Sequence, residues 1–563
     1  MAEQISLCHK WLTHSLKIPD RDAIIHLRAG YKPFRWTFRT LFARSQKFIP
    51  VLLNHGIKRG DVCAMIIPHN KYVYPLYMAL VSMGAVPAIL PYPNIRLHPD
   101  KFRNSIRGMA EKSGLDWILT TRELEPTLVP LLHHKTTIKG ICLPLEGDYH
   151  GGKGVLKNKV YLSPYPTALL QHSSGTTGLS KPVILSHHTV INHIIHYASA
   201  LHLSKKDKIV SWLPLYHDMG LIAAFHLPLY FGIPTVIMDP FEWIIAPHIF
   251  HKAVSREKGT LSWLPNFSYN IMADKIKDSD LKGTSLSSLR MLVNCSEPVR
   301  AESHQRFFNR FAKYGFKKSC LSACYAMAET TFAVTQTEPK KEAQKISVDG
   351  RELSRGRVVI ATDNNHARVC VSSGKLIKGC RIRIINQRGQ RLGPNRVGEI
   401  VIQSDSLFDG YRNYPEKTAE VLKKGWYHSG DLGFCHNNNY YIVGRKKDVI
   451  IVAGHNIYPE DIEDALNTVK GVIPGRAIAF GEFDEEMGTE QISVAAETDL
   501  KEKKNLEHLR LEIMKACMHT HTSIKKVYLV PPRWLIKSSS GKLSRKDNKD
   551  RLKIFKKEIL LEE

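Results

Sequence analysis

Two short stretches concentrate residues suited to handling phosphate. Residues Ser173 to Pro182 read SSGTTGLSKP. Gly175 and Gly178 let the backbone turn its N–H groups inward on an oxyanion, Ser173, Ser174, Thr176 and Thr177 add hydroxyl donors, and Lys181 adds a cation. On chemical grounds this is a polyphosphate cradle. Its spacing is not the GxxxxGK[ST] of the Walker loop, which argues against kinases and GTPases of that class. Near the C-terminus, KSSSGKLSRK sets Lys542 in a Ser/Gly-rich loop from which an ammonium can reach a neighbouring site. An ordinary polar turn competes for the first stretch, and a basic solvated tail, which Lys546 to Lys557 suits, competes for the second.

Company decides for the cradle. Tyr325-Ala326-Met327-Ala328-Glu329-Thr330, Tyr427-His428-Ser429-Gly430-Asp431, Gly444-Arg445-Lys446-Lys447-Asp448 and Ser540-Gly541-Lys542-Leu543 follow it in that order. Together they resemble the signatures of the adenylate-forming superfamily of acyl-CoA synthetases, luciferases and nonribosomal-peptide adenylation domains, and the resemblance spans nearly the whole chain. It implies ATP and Mg2+ as cofactors. Tyr325 offers a ring to the purine and Glu329 a carboxylate to magnesium, with Thr177 as a second metal contact. Asp431 follows a glycine in a tight turn, where it can accept from both ribose hydroxyls. Arg445, Ala326, Ser296 and Glu297 are the further nucleotide contacts that the resemblance implies. Cys295-Ser296 stands where Gly-Ala is usual and Ala326-Met327 where Gly-Leu is usual, which adds bulk near the expected adenine edge. Attack of a carboxylate on the α-phosphorus joins two anions, so Lys542 is assigned the positive charge that lowers that barrier. Lys447 falls at the family hinge.

Three matches narrow the branch. Ser211 to Ile222 reads SWLPLYHDMGLI, and with Leu264-Pro265-Asn266-Phe267 and Ser296-Glu297-Pro298-Val299-Arg300 it is similar to the fatty acyl-AMP ligases, which pass the acyl group to a carrier protein's phosphopantetheine. By this resemblance His217 is the gate or wall between the ATP and acyl pockets, in competition with a satisfied core histidine. Met219, Gly220 and Asn266 are further substrate contacts. Between Glu329 and Gly374 lie 44 residues, and the polar stretch from about Pro339 to His366 looks like the insertion that marks this branch and restricts domain movement. The expected activity is ATP-dependent conversion of a fatty acid to acyl-AMP with release of pyrophosphate. An acyl carrier protein, or a polyketide or nonribosomal-peptide carrier domain, is the expected acceptor. Coenzyme A is the weaker alternative acceptor, and a catalytically silent nucleotide- or acyl-binding protein is the alternative from another class.

The elements that must position these residues follow from patterning. Val62 to Pro68, Tyr72 to Met83 and Ala85 to Leu90 predict strand, helix and strand, with Pro75 tolerated in the first helical turn. Lys208 to Leu213, Thr235 to Met238, Gly259 to Trp263 and Met291 to Asn294 predict short buried strands, and Gly398 to Gln403 and Tyr440 to Val443 a β-rich subdomain. The expected fold is α/β. A large N-terminal domain, 1–446, comprises two α/β subdomains and the β-rich one; a small mobile α/β domain, 447–563, follows.

Composition agrees. A chain of 563 residues with 43% hydrophobic content can fill more than one core. The N-terminus lacks the basic lead and apolar core of a secretory signal, and prolines break the longest uncharged run, so neither export nor a transmembrane segment is expected and the location is cytoplasmic. Ten scattered cysteines predict reduced structural thiols. The net charge of +27 is spread without an arginine-rich tract, which predicts no specific nucleic-acid binding and suits encounter with an acidic carrier.

Overall fold

The computed structural model describes residues 6–562 except 94–98, 134–135, 147–159, 174–180, 364–365, 453–454, 486, 488, 519–523 and 538–542. Its largest sheet has nine strands. The central ones, Asp22–His26, Thr235–Ile237, Ile209–Ser211, Leu261–Leu264, Met291–Asn294 and Leu321–Ala326, run parallel; Phe34–Thr37, Ala333–Gln336 and Lys375–Leu376 add antiparallel pairs at the two edges. Parallel strands are covered on both faces, which is why Val210, Val236, Leu261 and Leu292 read as unbroken apolar runs and are fully buried.

A second, four-stranded parallel sheet orders Val86–Ile89, Val62–Met65, Trp117–Leu119 and Gly140–Cys142. Helix Val73–Met83 is buried along its whole length, so its prolonged apolar run belongs to the interior. Among the described residues no helix is long and apolar enough to cross a membrane.

The β-rich part is a five-stranded antiparallel sheet of Cys380–Ile385, Gly398–Ser404, Trp426–His436, Leu422–Lys423 and Asn439–Arg445. Beyond it, strands Ala477–Asp484, Thr489–Glu497, Ile524–Val530 and Leu561–Glu562 form a separate sheet. Helices Pro459–Asn467 and Lys503–Met518 close a core on it that includes Ile462, Leu466, Val494, Leu509 and Leu529. None of the ten cysteines forms a disulfide, and eight are buried.

Candidate active site

The expected cradle lies between two paired strands. Thr167–Ser173 pairs antiparallel with Lys181–Ser186, and Ser173 stands opposite Lys181 at the mouth of the loop. Ser174, Gly175, Thr176, Thr177 and Gly178 lie outside the described residues. Lys181 Nζ lies 4.8 Å from the centre of the Tyr411 ring. The Tyr411 hydroxyl donates to Glu329 Oε1 at 2.7 Å. Burial, and then the adjacent Glu329 carboxylate, push the Tyr411 phenol far above its ordinary pKa, so it stays a donor. The hairpin cation and the buried carboxylate are thus linked through one aromatic residue.

Tyr411 was not visible as a site residue in the sequence. It is 82 residues from Glu329, so no local period connects them. The available signal was Asp409-Gly410-Tyr411-Arg412-Asn413, an aromatic set behind glycine in a polar turn. That segment straps the hairpin through main-chain bonds: Ile184 N–H donates to Gly410 O at 3.0 Å and Arg412 N–H to Pro182 O at 2.9 Å. Tyr411→Phe is expected to raise KM for MgATP about tenfold, from loss of a hydrogen bond to a charged group, with KM for the acid and the urea midpoint little changed. An unchanged KM for ATP with a lowered midpoint would make the contact purely structural.

A second chain of contacts begins one turn earlier. Tyr325 ends strand Leu321–Ala326, and its hydroxyl donates to Asp431 Oδ2 at 2.6 Å. Arg445 Nε approaches Asp431 Oδ1 at 3.2 Å. Burial, then the Asp431 carboxylate, hold the Tyr325 phenol well above its usual pKa. Asp431 does not sit in a turn between elements, as its motif suggests. It lies inside strand Trp426–His436, where pairing shifts from Val401 with His428 to Glu399 with Leu432, and Gly430 at φ +70° supplies the bulge. The bulge re-aims Asp431 toward Tyr325. Asp431 is also the cross-strand partner of Arg445, so the strand runs on through the arginine that the motif places in a turn.

Glu329 lies in the short turn Ala328–Thr330 and is buried. One carboxylate oxygen takes the Tyr411 hydroxyl; the other has no hydrogen bond among the described residues. Mg2+ commonly binds to one or two carboxylates plus substrate phosphates, so a lone buried carboxylate beside a phosphate hairpin fits it. No cluster of three metal-ligating side chains occurs among the described residues.

The wall between the two expected pockets is a π-helix, Met219–His226. Asp218 caps it, its Oδ1 accepting from Met219 N–H at 2.8 Å and lying 2.6 Å from His217 Nδ1. The His217 ring is therefore fixed by its neighbour and remains partly exposed. Gln171 Nε2, on the cradle hairpin, donates to Tyr216 O at 2.8 Å and ties cradle to wall.

Ser296 adopts φ +72°, a left-handed backbone where glycine is easier, and Glu297 accepts from Phe267 N–H at 3.0 Å. Asn266 is held at both ends: Oδ1 accepts from Asn294 Nδ2 and Arg300 N–H, and Nδ2 donates to Ser303 Oγ. Its side chain sets the shape of the 294–300 segment. Ala326 pairs with Ala333 at the strand end, and Lys447 is exposed after Arg445. Lys542 lies outside the described residues.

A nine-stranded sheet with a parallel centre, a β-rich neighbour that contributes an aspartate and an arginine, and a separate C-terminal sheet form the adenylate-forming enzyme fold. A solved fatty acyl-adenylate ligase, from work on the E. coli and L. pneumophila enzymes, superimposes with a TM-score of 0.88 at 25% identity, covering 99% of each chain. The L. pneumophila fatty acyl-adenylate ligase in complex with acyl adenylate and pyrophosphate gives 0.74, also at 25% identity, over 100% of this chain and 98% of its own. The medium-chain-fatty-acid–[acyl-carrier-protein] ligase JamA of Moorena producens is 32% identical over 93% of this chain and 91% of its own. The AMP-binding enzyme family model matches residues 13–412, and this chain belongs to that family.

Proposed function

We propose that this enzyme uses ATP to convert a fatty acid to acyl-AMP with release of pyrophosphate, then passes the acyl group to the phosphopantetheine thiol of an acyl carrier protein or an assembly-line carrier domain. The observation that supports the first step most is the pair of contact chains, Lys181–Tyr411–Glu329 and Tyr325–Asp431–Arg445, meeting on one strand and its following turn. In this reading Asp431 accepts from the ribose hydroxyls and Arg445 steadies that carboxylate. Lys181 and the hairpin amides hold the phosphates, and Glu329 holds Mg2+, which neutralises phosphate charge. Lys542 stabilises charge as the carboxylate oxygen meets the α-phosphorus. His217, Met219 and Gly220 form the wall, and Asn266 shapes the acid's side. We assign 1–446 to a large domain and 447–563 to a small one turning about Lys447. Ten cysteines outside any disulfide suit a reducing cytoplasm.

The acceptor assignment rests on the insertion and on two arginines outside it, Arg300 and Arg368. Strands Lys345–Asp349 and Ala367–Val371 pair antiparallel, and with helix Gly350–Ser354 they pack Val348, Leu353 and Val358 against Phe434, Tyr441, Val443 and Tyr458. Arg368 reaches Asp461 at 2.8 Å and lies 4.9 Å from the Tyr458 ring centre, while Arg300 reaches Asp464 at 2.6 Å. Helix Pro459–Asn467 is thereby held by two arginines of the large domain. Such a clasp restrains the rotation that admits free coenzyme A.

The test is an acceptor comparison. Wild type should load a holo-carrier and form little acyl-CoA, whereas Arg300→Ala/Arg368→Ala, which breaks two partly buried pairs, should raise acyl-CoA formation by about tenfold or more. Rapid acyl-CoA formation by wild type would reassign the acceptor to coenzyme A.

A further inference from the structure

We infer that the outer face of the five-stranded sheet, centred on Trp426, is the docking surface for the acidic carrier; the inference rests on the acceptor reading above. Residues 447–563 contain as many acidic as basic side chains, so the whole excess of +27 lies in residues 1–446. Part of that excess lies on this sheet and its adjoining turns. Lys378, Arg381, Arg383, Lys423 and Lys424 are exposed, and none forms an ion pair among the described residues.

Strand register gathers three of them. Arg381 pairs with Gln403, Arg383 with Val401, and Lys423 with Trp426. The Arg383 guanidinium lies 4.2 Å from the Trp426 ring centre. Of the nearby carboxylates, Glu399 pairs with Lys446 at 2.8 Å and Glu420 with Lys417 at 3.0 Å, and Asp405 is hydrogen-bonded to His196 at 2.9 Å. A groove lined by Gly379, Cys380, Arg381, Gln403, Ser404 and Asp405 adjoins Arg381. Unpaired cations beside a groove attract a negatively charged, convex partner and speed its encounter.

An acidic protein fits better than the other polyanions. Stable membrane association needs apolar anchors, and no exposed large hydrophobic residue falls between 370 and 450. Single-stranded nucleic acid stacks bases on open aromatic faces, and one face of Trp426 is already covered by Arg383. Strand Trp426–His436 also carries Asp431, five residues from the tryptophan, or about 16 Å along an extended strand.

The experiment uses the full chain with Arg381→Glu/Arg383→Glu and, leaving the tryptophan stack intact, Lys378→Glu/Lys423→Glu. Fatty-acid-dependent ATP–pyrophosphate exchange, acyl transfer to a holo-acyl carrier protein, and transfer to free pantetheine are measured at low and high salt. Expected are unchanged exchange and pantetheine transfer, with kcat/KM for the carrier lowered about tenfold at low salt in both variants and its salt dependence flattened. Carrier transfer equal to wild type in the Lys378/Lys423 variant overturns the surface, including if the reversals instead abolish binding to anionic vesicles or single-stranded DNA. Absence of carrier transfer by wild type itself overturns the acceptor reading and the surface with it.

Discussion

Lys542→Ala is expected to lower fatty-acid-dependent pyrophosphate release by at least about a hundredfold, the usual cost of removing one group that stabilises developing charge in a closed site. The structure shows how both feet of its loop are held. Lys537 bridges Leu543, Ser544 N–H donates to Ile536 O at 3.2 Å, and Asn548 Oδ1 accepts from Ile536 N–H at 2.7 Å. Residues 537 and 543, on either side of 538–542, are therefore fixed to each other and to the helix that follows. Arg545 extends that anchorage, pairing with Glu463 at 2.6 Å, with Asp448 at 2.9 Å, and with Glu460 at 3.0 Å. Asp448 directly follows the proposed hinge Lys447, so Arg545 ties the segment after Lys542 to the residue beside that hinge. Because the charge is needed as a compact ammonium, Lys542→Arg should recover little of the rate. Pyrophosphate release by Lys542→Ala equal to wild type would remove Lys542 from the adenylation step.

Gly220→Ala is expected to damage both stability and adenylation. A Cβ on Gly220 would lie 2.3 Å from Pro214 O and 2.9 Å from Pro214 C, both main-chain atoms that cannot move aside as a side chain can. The first turn of the π-helix and the 214–218 segment must separate, at a cost of about 1–3 kcal/mol for an overpacked interior. That segment carries His217 and the Tyr216 carbonyl that anchors Gln171. Urea unfolding should show a lowered midpoint with unchanged slope, and ATP–pyrophosphate exchange should fall more than the stability loss alone explains. A variant with a wild-type midpoint and wild-type exchange would show that the close packing at Gly220 is dispensable.

What the sequence disclosed depended on whether the cause was local. Buried parallel strands are short apolar runs between turns, so Met291–Asn294 has the expected limits and Val62–Met65 and Val86–Ile89 lie within theirs. Helix Val73–Met83 was equally legible, since its length and the glycine after it are local signals. The position of Asp431 was not, because a bulge is a property of pairing: it exists only once Glu399 and Val401 take their partners. Tyr411 escaped for the same reason, its partners lying on a distant turn and hairpin. The insertion was recognisable by length and polarity, yet its ordering depends on Val348, Leu353 and Val358, isolated apolar residues that acquire meaning only against Phe434 and Tyr441. Asn266 shows the same limit. Its motif suggests a substrate contact, and in the structure its amide also holds the neighbouring loop, a role no local pattern announces.

Adenylate formation is reversible, so incubation of the purified enzyme with ATP, Mg2+, a fatty acid and labelled pyrophosphate tests the proposed chemistry without reference to any acceptor. Label should return to ATP only when a fatty acid is present, at a rate that Lys542→Ala abolishes. Failure of fatty acids across the medium- and long-chain range to support exchange would contradict fatty acyl-AMP formation by this chain.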